Sequence, residues 1–361
     1  MSRRLRRYRS VLGLALGLLS LATGEGIARA LEPARAVVPT GSTFMRPHPT
    51  RGWSMSPGTV ESAGVSVEID AAGLRACPPA ASPLLLTLGD SSIFGHGLAD
   101  SDTLHGQLGA ATGGAFRACT AAVPGYSSLQ TRVFLDEQGW AMGPAVLVIG
   151  NQWSDNQFDY FPDATLLGAL GGPSGGVEAV LIESALYRFL AGVLGRPTTY
   201  SVYWKSRDSW GGVRRVPLDQ YADNLRWMLG EARSRGVGVV FLTLANRRTL
   251  QHESVHEPWT PYVAYRAALA QAAGVPIVDA TPILRASGEA VDALFMDEMH
   301  PTALANRLVA AELAGALAPG PVVPGVPAEL PLPRDIFDEG PLDPRSLQER
   351  LVRETAPLEG R

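Results

Sequence analysis

Residues 84–97 read LLLTLGDSSIFGHG. The run from Leu84 to Leu88 is short and strongly apolar, as a fully buried strand is, and Gly89 breaks it. Asp90 and Ser91 follow in a turn, and Ser92, Ile93 and Phe94 begin a short helix. Ser91 is therefore expected at the C-terminal end of a strand. Open α/β sheets bind ligands at that edge, where a helix N-terminus offers unpaired N–H groups to an anion. A serine so placed needs only a base to become a nucleophile. About two hundred residues later the chain reads Asp297-Glu298-Met299-His300. Asp297 and His300 stand three apart, so a helical or turn conformation puts both side chains on one face, where the carboxylate can fix the tautomer of the imidazole.

Outward from this stretch, strand-like runs at 116–123, 146–150, 237–245 and 275–279 alternate with helical patterns at 103–111, 128–138, 218–235, 261–273 and 302–317. Strands separated by helices of that length imply right-handed βαβ units and a mainly parallel sheet of about five strands with helices on both faces. The alternation lapses over an insert, 156–217, which holds a Gly-rich loop, an apolar helix candidate at 182–194, and the aromatics Tyr187, Tyr200, Tyr203, Trp204 and Trp210. Such an insert suits a wall over the active edge, or equally a satellite apolar cluster under a loop. Residues 32–82, rich in Pro, Gly and Ser, read as an extended arm or small hairpin, with Trp53 of Arg51-Gly52-Trp53 packing on the main domain. The main domain is expected over 83–317, and 318–361 is a proline-dense tail that wraps or dangles.

With 361 residues, 46% hydrophobic and 18% charged, the chain can bury a large core. A formal net charge of -4 leaves no basic excess to hold a phosphate backbone, which argues against nucleic acid as a partner. The first seven residues nevertheless carry Arg3, Arg4, Arg6 and Arg7, ahead of an apolar run from Val11 to Ala22. That order is an export signal's, and Ala28-Arg29-Ala30 offers a cleavage site. Residues 1–31 are thus a signal peptide or an uncleaved signal anchor, and either places the rest outside the cytoplasm, in the periplasm or the extracellular space. Membrane contact is then expected only through this segment, and only if it is retained. An oxidising compartment would permit a bridge between Cys77 and Cys119, the two cysteines of the chain, but Cys119 lies in an apolar run and reads as a buried small side chain.

Three blocks in order, Gly89-Asp90-Ser91-Ser92, Gly125 within Val123-Pro124-Gly125-Tyr126, and Asp297-x-x-His300-Pro301, resemble the first, second and fifth blocks of the SGNH (GDSL) hydrolases. The resemblance covers roughly residues 82–317. It implies a flavodoxin-like three-layer α/β/α sandwich and an exported esterase that cleaves carboxylic esters, of acetylated glycans or lipids, through an acyl-enzyme and without a cofactor or metal. Ser91 would be the nucleophile, His300 the base and Asp297 its orienting carboxylate. The N–H groups of Ser91 and Gly125 would receive the oxyanion. The family's third block, a strand ending in Gly-x-Asn-Asp, is altered here to Gly150-Asn151-Gln152-Trp153-Ser154-Asp155-Asn156. The third oxyanion donor is therefore assigned to Asn151, nearest the active edge, with Ser154 and Asn156 as alternatives. An O-acyltransferase on the same fold, and a non-catalytic glycan-binding protein with a degraded site, are the competing readings.

Other motifs point elsewhere only on the surface. Gly172-Pro173-Ser174-Gly175-Gly176 has the letters of a nucleophile elbow but no strand leading into it. Gly95-His96-Gly97 starts like a dinucleotide fingerprint, yet Asp100 stands where its third glycine belongs. His252 and His256 have ligand spacing in a polar loop, and His96 and His105 are expected in surface or packing roles.

Overall fold

The computed structural model describes residues 3–31, 45–75, 77–78, 82–159, 162–170, 181, 184–194, 213–251 and 257–335. Helix α1 (Arg3–Leu31) is followed by two antiparallel hairpins, β1 (Met45–His48) with β2 (Gly52–Met55), and β3 (Gly58–Ser62) with β4 (Val65–Ile69). The chain continues through β5 (Leu84–Leu88), α2 (Ser91–Phe94), α3 (Leu104–Ala111), β6 (Arg117–Thr120), α4 (Ser128–Phe134), β7 (Pro144–Ile149) and α5 (Trp153–Asn156). Next come β8 (Phe158–Asp159), α6 (Asp163–Leu170), α7 (Ala185–Val193), β9 (Val213–Arg214) and α8 (Leu218–Ser234). The last third holds β10 (Gly238–Thr243), α9 (Arg247–Gln251), α10 (Thr260–Ala273), β11 (Ile277–Asp279), α11 (Ala280–Ala286), α12 (Val291–Leu294) and α13 (Ala303–Leu317).

Five strands form one sheet in the order β11-β10-β7-β5-β6, and each neighbouring pair is parallel. This is the flavodoxin-like order expected from the sequence. From β5 the chain steps to β6 on one side and then returns to β7 on the other. A crevice opens at such a reversal, beyond the carboxyl end of β5, where Ser91 stands.

The central strands β5, β7 and β10 are mostly apolar because helices cover both faces. Leu85, Val146, Val148, Val240 and Leu242 pack with Leu104 and Leu108 of α3 and Val309 and Leu313 of α13. Their neighbours Leu84, Leu86, Leu88, Leu147, Ile149 and Phe241 point the other way, onto Phe134 of α4, Leu225 and Met228 of α8, and Tyr262 of α10. The period-two alternation of strand side chains makes this division. The two hairpins are no loose appendage: Trp53, Met55, Val60, Val67 and Ile69 belong to the first of these cores. Beyond α13 the described part of the tail wraps. Val239 N–H donates to Val322 O at 2.9 Å, Gly325 N–H to Ala273 O at 2.7 Å, and Arg214 pairs with both oxygens of Asp335 at 2.8 Å.

One expectation needs correcting. Cys119 is buried, but it is bridged to Cys77, with the Cα atoms 5.3 Å apart. The bridge ties the segment before β5 to the edge strand β6, a pairing hidden in the sequence because nothing local marks Cys77 as lying beside β6. Closing a loop of 42 residues by a disulfide stabilises a chain by about 2–4 kcal/mol through loss of unfolded-state entropy. Cys77→Ser with Cys119→Ser is expected to lose that amount in urea unfolding, and an unchanged midpoint would contradict it.

Candidate active site

Ser91 is the first residue of α2, and Asp90 caps that helix by accepting Ser92 N–H at 3.0 Å. Gly89 makes the turn possible, since a Cβ there would lie 2.6 Å from Ile93 Cγ1. Arg75, fully buried, holds the far end of α2 by donating to the carbonyls of Phe94 and Gly95, both at 3.1 Å. Ser92 Oγ donates to Met299 O at 3.2 Å and so ties α2 to the turn before α13.

That turn carries the remaining partners. His300 Nε2 lies 2.8 Å from Ser91 Oγ, and His300 Nδ1 lies 2.6 Å from Asp297 Oδ2. The other oxygen of Asp297 accepts the N–H groups of Met299 and His300, both at 2.9 Å. Partial burial opposes the charge of Asp297. The hydrogen bond from the His300 ring, the two backbone N–H groups and the charge of the imidazole outweigh it, so the carboxyl is held below its ordinary range. Ser91, His300 and Asp297 thus form one connected chain of hydrogen bonds at the carboxyl edge of the sheet. A nucleophile, a base and an orienting carboxylate need that geometry.

Gly125 is held from both sides. Its φ is +79°, and a Cβ would sit 3.2 Å from Trp53 Cζ2. Trp53 Nε1 donates to Pro124 O at 3.0 Å, and Tyr126 Oη donates back to Trp53 O at 2.6 Å. Because the 124–125 peptide is trans, fixing the carbonyl of Pro124 fixes the opposite direction for the N–H of Gly125. Arg215 Nη1 donates to Gly125 O at 2.9 Å, while the same guanidinium pairs with Asp163 at 2.8 and 2.9 Å. Neither the Ser91 N–H nor the Gly125 N–H donates to another described residue, so both are available at the edge.

The altered third block is distributed as follows. Asn151 is fully buried and its Nδ2 donates to Thr131 Oγ1 at 2.9 Å. Asn156 Nδ2 donates to Gln152 O at 2.7 Å. Ser154 N–H donates to Asp90 Oδ2 at 3.4 Å, while the Ser154 hydroxyl has no partner among the described residues. Burial pushes Asp90 above the ordinary carboxylate range, against the pull of the N–H groups of Ser92 and Ser154 and the charge of His300.

Asp155, next along, is fully buried and its Oδ2 has no partner among the described residues. Burial pushes its carboxyl up to about 7, although hydrogen bonds from Ser128 and the charge of Arg215 oppose the shift. The folded state therefore holds a proton between about pH 4 and 7 that the unfolded chain, with an ordinary carboxyl near 3.9, does not. Stability contributed by this group falls as the pH rises through that window. Asp155→Asn keeps an oxygen to accept Ser128 N–H and removes the titration. Its urea midpoint should change less between pH 5 and 8 than that of the parent, and an equal slope would refute the assignment.

Several neighbours carried no signal in the sequence. The His96 ring lies 4.9 Å from the His300 ring, with its Nδ1 3.0 Å from Ser62 Oγ of β3. Burial first, and then the charge of His300, hold His96 below the usual imidazole range, which favours its neutral form beside His300. Arg215 and the Trp53–Pro124 bond were equally invisible, because their partners lie 90 and 71 residues away. His105 is a packing residue as expected, buried beside Thr103 and pushed down to about 3 by that burial. The elbow-like Gly172-Pro173-Ser174-Gly175-Gly176, the pair His252 and His256, and Tyr200, Tyr203, Trp204 and Trp210 lie outside the described residues.

No family model and no curated protein matches the chain. Solved structures do. A lipolytic protein of the G-D-S-L family from Desulfitobacterium hafniense is 12% identical, with 65% of this chain and 100% of that one covered at a TM-score of 0.42. The lipase/acylhydrolase of Enterococcus faecalis is 14% identical, with coverages of 65% and 95% and a TM-score of 0.42. An acetylxylan esterase from Geobacillus stearothermophilus is 14% identical, with coverages of 65% and 94% and the same score. Likeness at this level decides neither activity nor substrate. The chain is an α/β protein with a five-stranded parallel sheet, structurally similar to G-D-S-L lipases and acylhydrolases at low sequence identity.

Proposed function

We propose that this chain is an exported serine esterase of the SGNH type, acting through an acyl-enzyme on ester-bearing lipids or acetylated glycans. The observation that carries the reading is the relay Ser91 Oγ, His300 Nε2, His300 Nδ1, Asp297 Oδ2, with links of 2.8 and 2.6 Å. Ser91 Oγ attacks the acyl carbon while His300 Nε2 takes its proton, and Asp297 stabilises the imidazolium. The oxyanion is received by the N–H groups of Ser91 and Gly125. His300 returns the proton to the alkoxy oxygen and the alcohol leaves. Water then attacks the acyl-serine, gives its proton to His300, and the acid departs as the proton passes back to Ser91.

The third donor in this proposal is the hydroxyl of Ser154, which has no partner among the described residues, whereas Asn151 is fully buried with its amide turned to Thr131 Oγ1 and the amide of Asn156 is turned to Gln152 O. Loss of one such donor typically costs ~10²- to 10³-fold in kcat. Ser154→Ala is expected to lower kcat for a p-nitrophenyl acetate assay by that order with KM little changed, and Ser154→Asn to recover much of it. Full activity in Ser154→Ala would exclude the role.

The reading itself is tested by fluorophosphonate labelling. Wild type should react at Ser91, and His300→Ala should not, since its serine lacks a base. An unlabelled wild type would overturn the proposal. Export is tested separately by fusing alkaline phosphatase after residue 335: activity supports an extracytoplasmic domain, and its absence refutes it.

A further inference from the structure

Helix α1 is 29 residues long, about 43 Å at 1.5 Å per residue. Its segment Leu12–Leu31 is long and apolar enough to cross a membrane, and Leu12, Leu14, Leu16, Leu18, Leu19 and Leu21 are each more than half exposed. One place on this helix is engaged. The Glu25 carboxylate accepts the Ser184 hydroxyl at 2.7 Å and the N–H groups of Ala185 and Leu186, both at 3.0 Å. Those are the first two N–H groups of α7, and Ser184 Oγ accepts the third, from Tyr187, at 3.2 Å. The orphan donors of a helix start are thus satisfied largely from another helix, by a charge that also suits the positive end of the dipole. Gly24 permits the approach, since its Cβ would lie 3.2 Å from Leu186 Cδ2.

One face of α7 is an apolar stripe. Leu186, Phe189, Leu190 and Val193 recur at helical spacing, and Leu194 extends the stripe just past the end of the helix. The stripe begins against α1 at Leu186, and then Phe189, Leu190, Val193 and Leu194 are 54%, 48%, 69% and 70% exposed. Four large apolar side chains in a row on one helix face make a patch that water does not favour. From Arg9 to Glu25, sixteen residues of helix rise about 24 Å, about 6 Å short of the ~30 Å of a hydrocarbon core. With the arginine-rich start of α1 on the inner side, Glu25 stands in the outer part of the span Leu12–Leu31, toward the outer interface, and α7 starts there.

We propose that α1 is retained as an anchor, and that α7 is a second membrane contact lying in the outer interface of the same bilayer, docked onto the anchor through Glu25. Cleavage after Ala30 would remove the acceptor of the first N–H groups of α7. The proposal rests on the exported placement given above, and the phosphatase fusion tests that placement independently of any lipid contact.

The test uses the full chain in vesicles of phosphatidylcholine and phosphatidylglycerol. Cys77 and Cys119 are paired, so Leu190→Cys supplies a single free thiol for an environment-sensitive NBD label. The expected result is a blue-shifted emission, quenched by lipids carrying doxyl groups near the headgroup and protected from aqueous iodide. Iodide quenching without doxyl quenching overturns the proposal. So does protection from both together with cross-linked dimers, which would mean that a second copy covers the stripe. Glu25→Gln should weaken the doxyl quenching at residue 190 while ester hydrolysis stays unchanged; unaltered quenching removes Glu25 from the docking. The intact mass of the protein from membranes should include residues 1–31, and a species beginning at Leu31 overturns the retained anchor.

Discussion

Ser91→Ala is expected to lower kcat for a chromogenic ester by about 10⁴- to 10⁶-fold, the loss seen when a serine nucleophile is removed from a triad that works as a unit. The thermal midpoint should not follow, because the side chain is half-buried and its one hydrogen bond among the described residues runs to His300 Nε2. Asp297→Asn gives a sharper comparison. The asparagine oxygen can still accept the N–H groups of Met299 and His300, so the turn survives. Its amide, however, would face His300 Nδ1 as a donor and force the proton onto Nε2, where it cannot take the serine's. A loss of ~10⁴-fold in kcat with an intact fold is the expected outcome. Equal activity in either variant would remove that residue from the chemistry.

The second large effect belongs to Arg215. It is almost wholly buried, paired with Asp163 through two bonds, and reaches Gln130 Oε1 at 3.1 Å and Gly125 O at 2.9 Å. Removing one partner of a buried ion pair leaves the other charge uncompensated, which costs about 3–5 kcal/mol. Arg215→Met is therefore expected to lower unfolding stability by that amount. It should also depress kcat more than KM, since the Gly125 carbonyl loses its holder and the neighbouring oxyanion donor loses rigidity. The double variant Arg215→Met with Asp163→Leu should recover part of the stability by removing the stranded carboxylate, but not the kcat. Recovery of both together would show that Arg215 acts on the site only through global stability.

The elements legible in the sequence were those written in local period and local breaks. The β5 run, the break at Gly89 and the amphipathic α8 followed from residues within one turn or one strand of each other. The close approach of Ser91 to His300 and Asp297 is readable because residues 297–300 announce themselves as a turn with a carboxylate and an imidazole. The second layer was not legible. Trp53, Arg75 and Arg215 do their work on carbonyl oxygens of distant segments, and a carbonyl has no letter in a sequence. Cys119 shows a related limit: an apolar strand explains a buried cysteine well enough to hide the partner that the fold brings to it.

The sequence separation of 209 between Ser91 and His300 bears on the order in which the parts are made. A chain synthesised from its N-terminus finishes α1 first, then the two hairpins, then the serine on its short helix. Trp53 waits seventy-one residues for Pro124, and the aim of the Gly125 N–H is set only when they meet. His300 is made only after all of these, just ahead of α13. In the proposed function, Ser91 therefore has nothing to take its proton until residues 297–300 have been made and dock on α2. The proposed chemistry is thereby withheld until the whole span from 91 to 300 is in place.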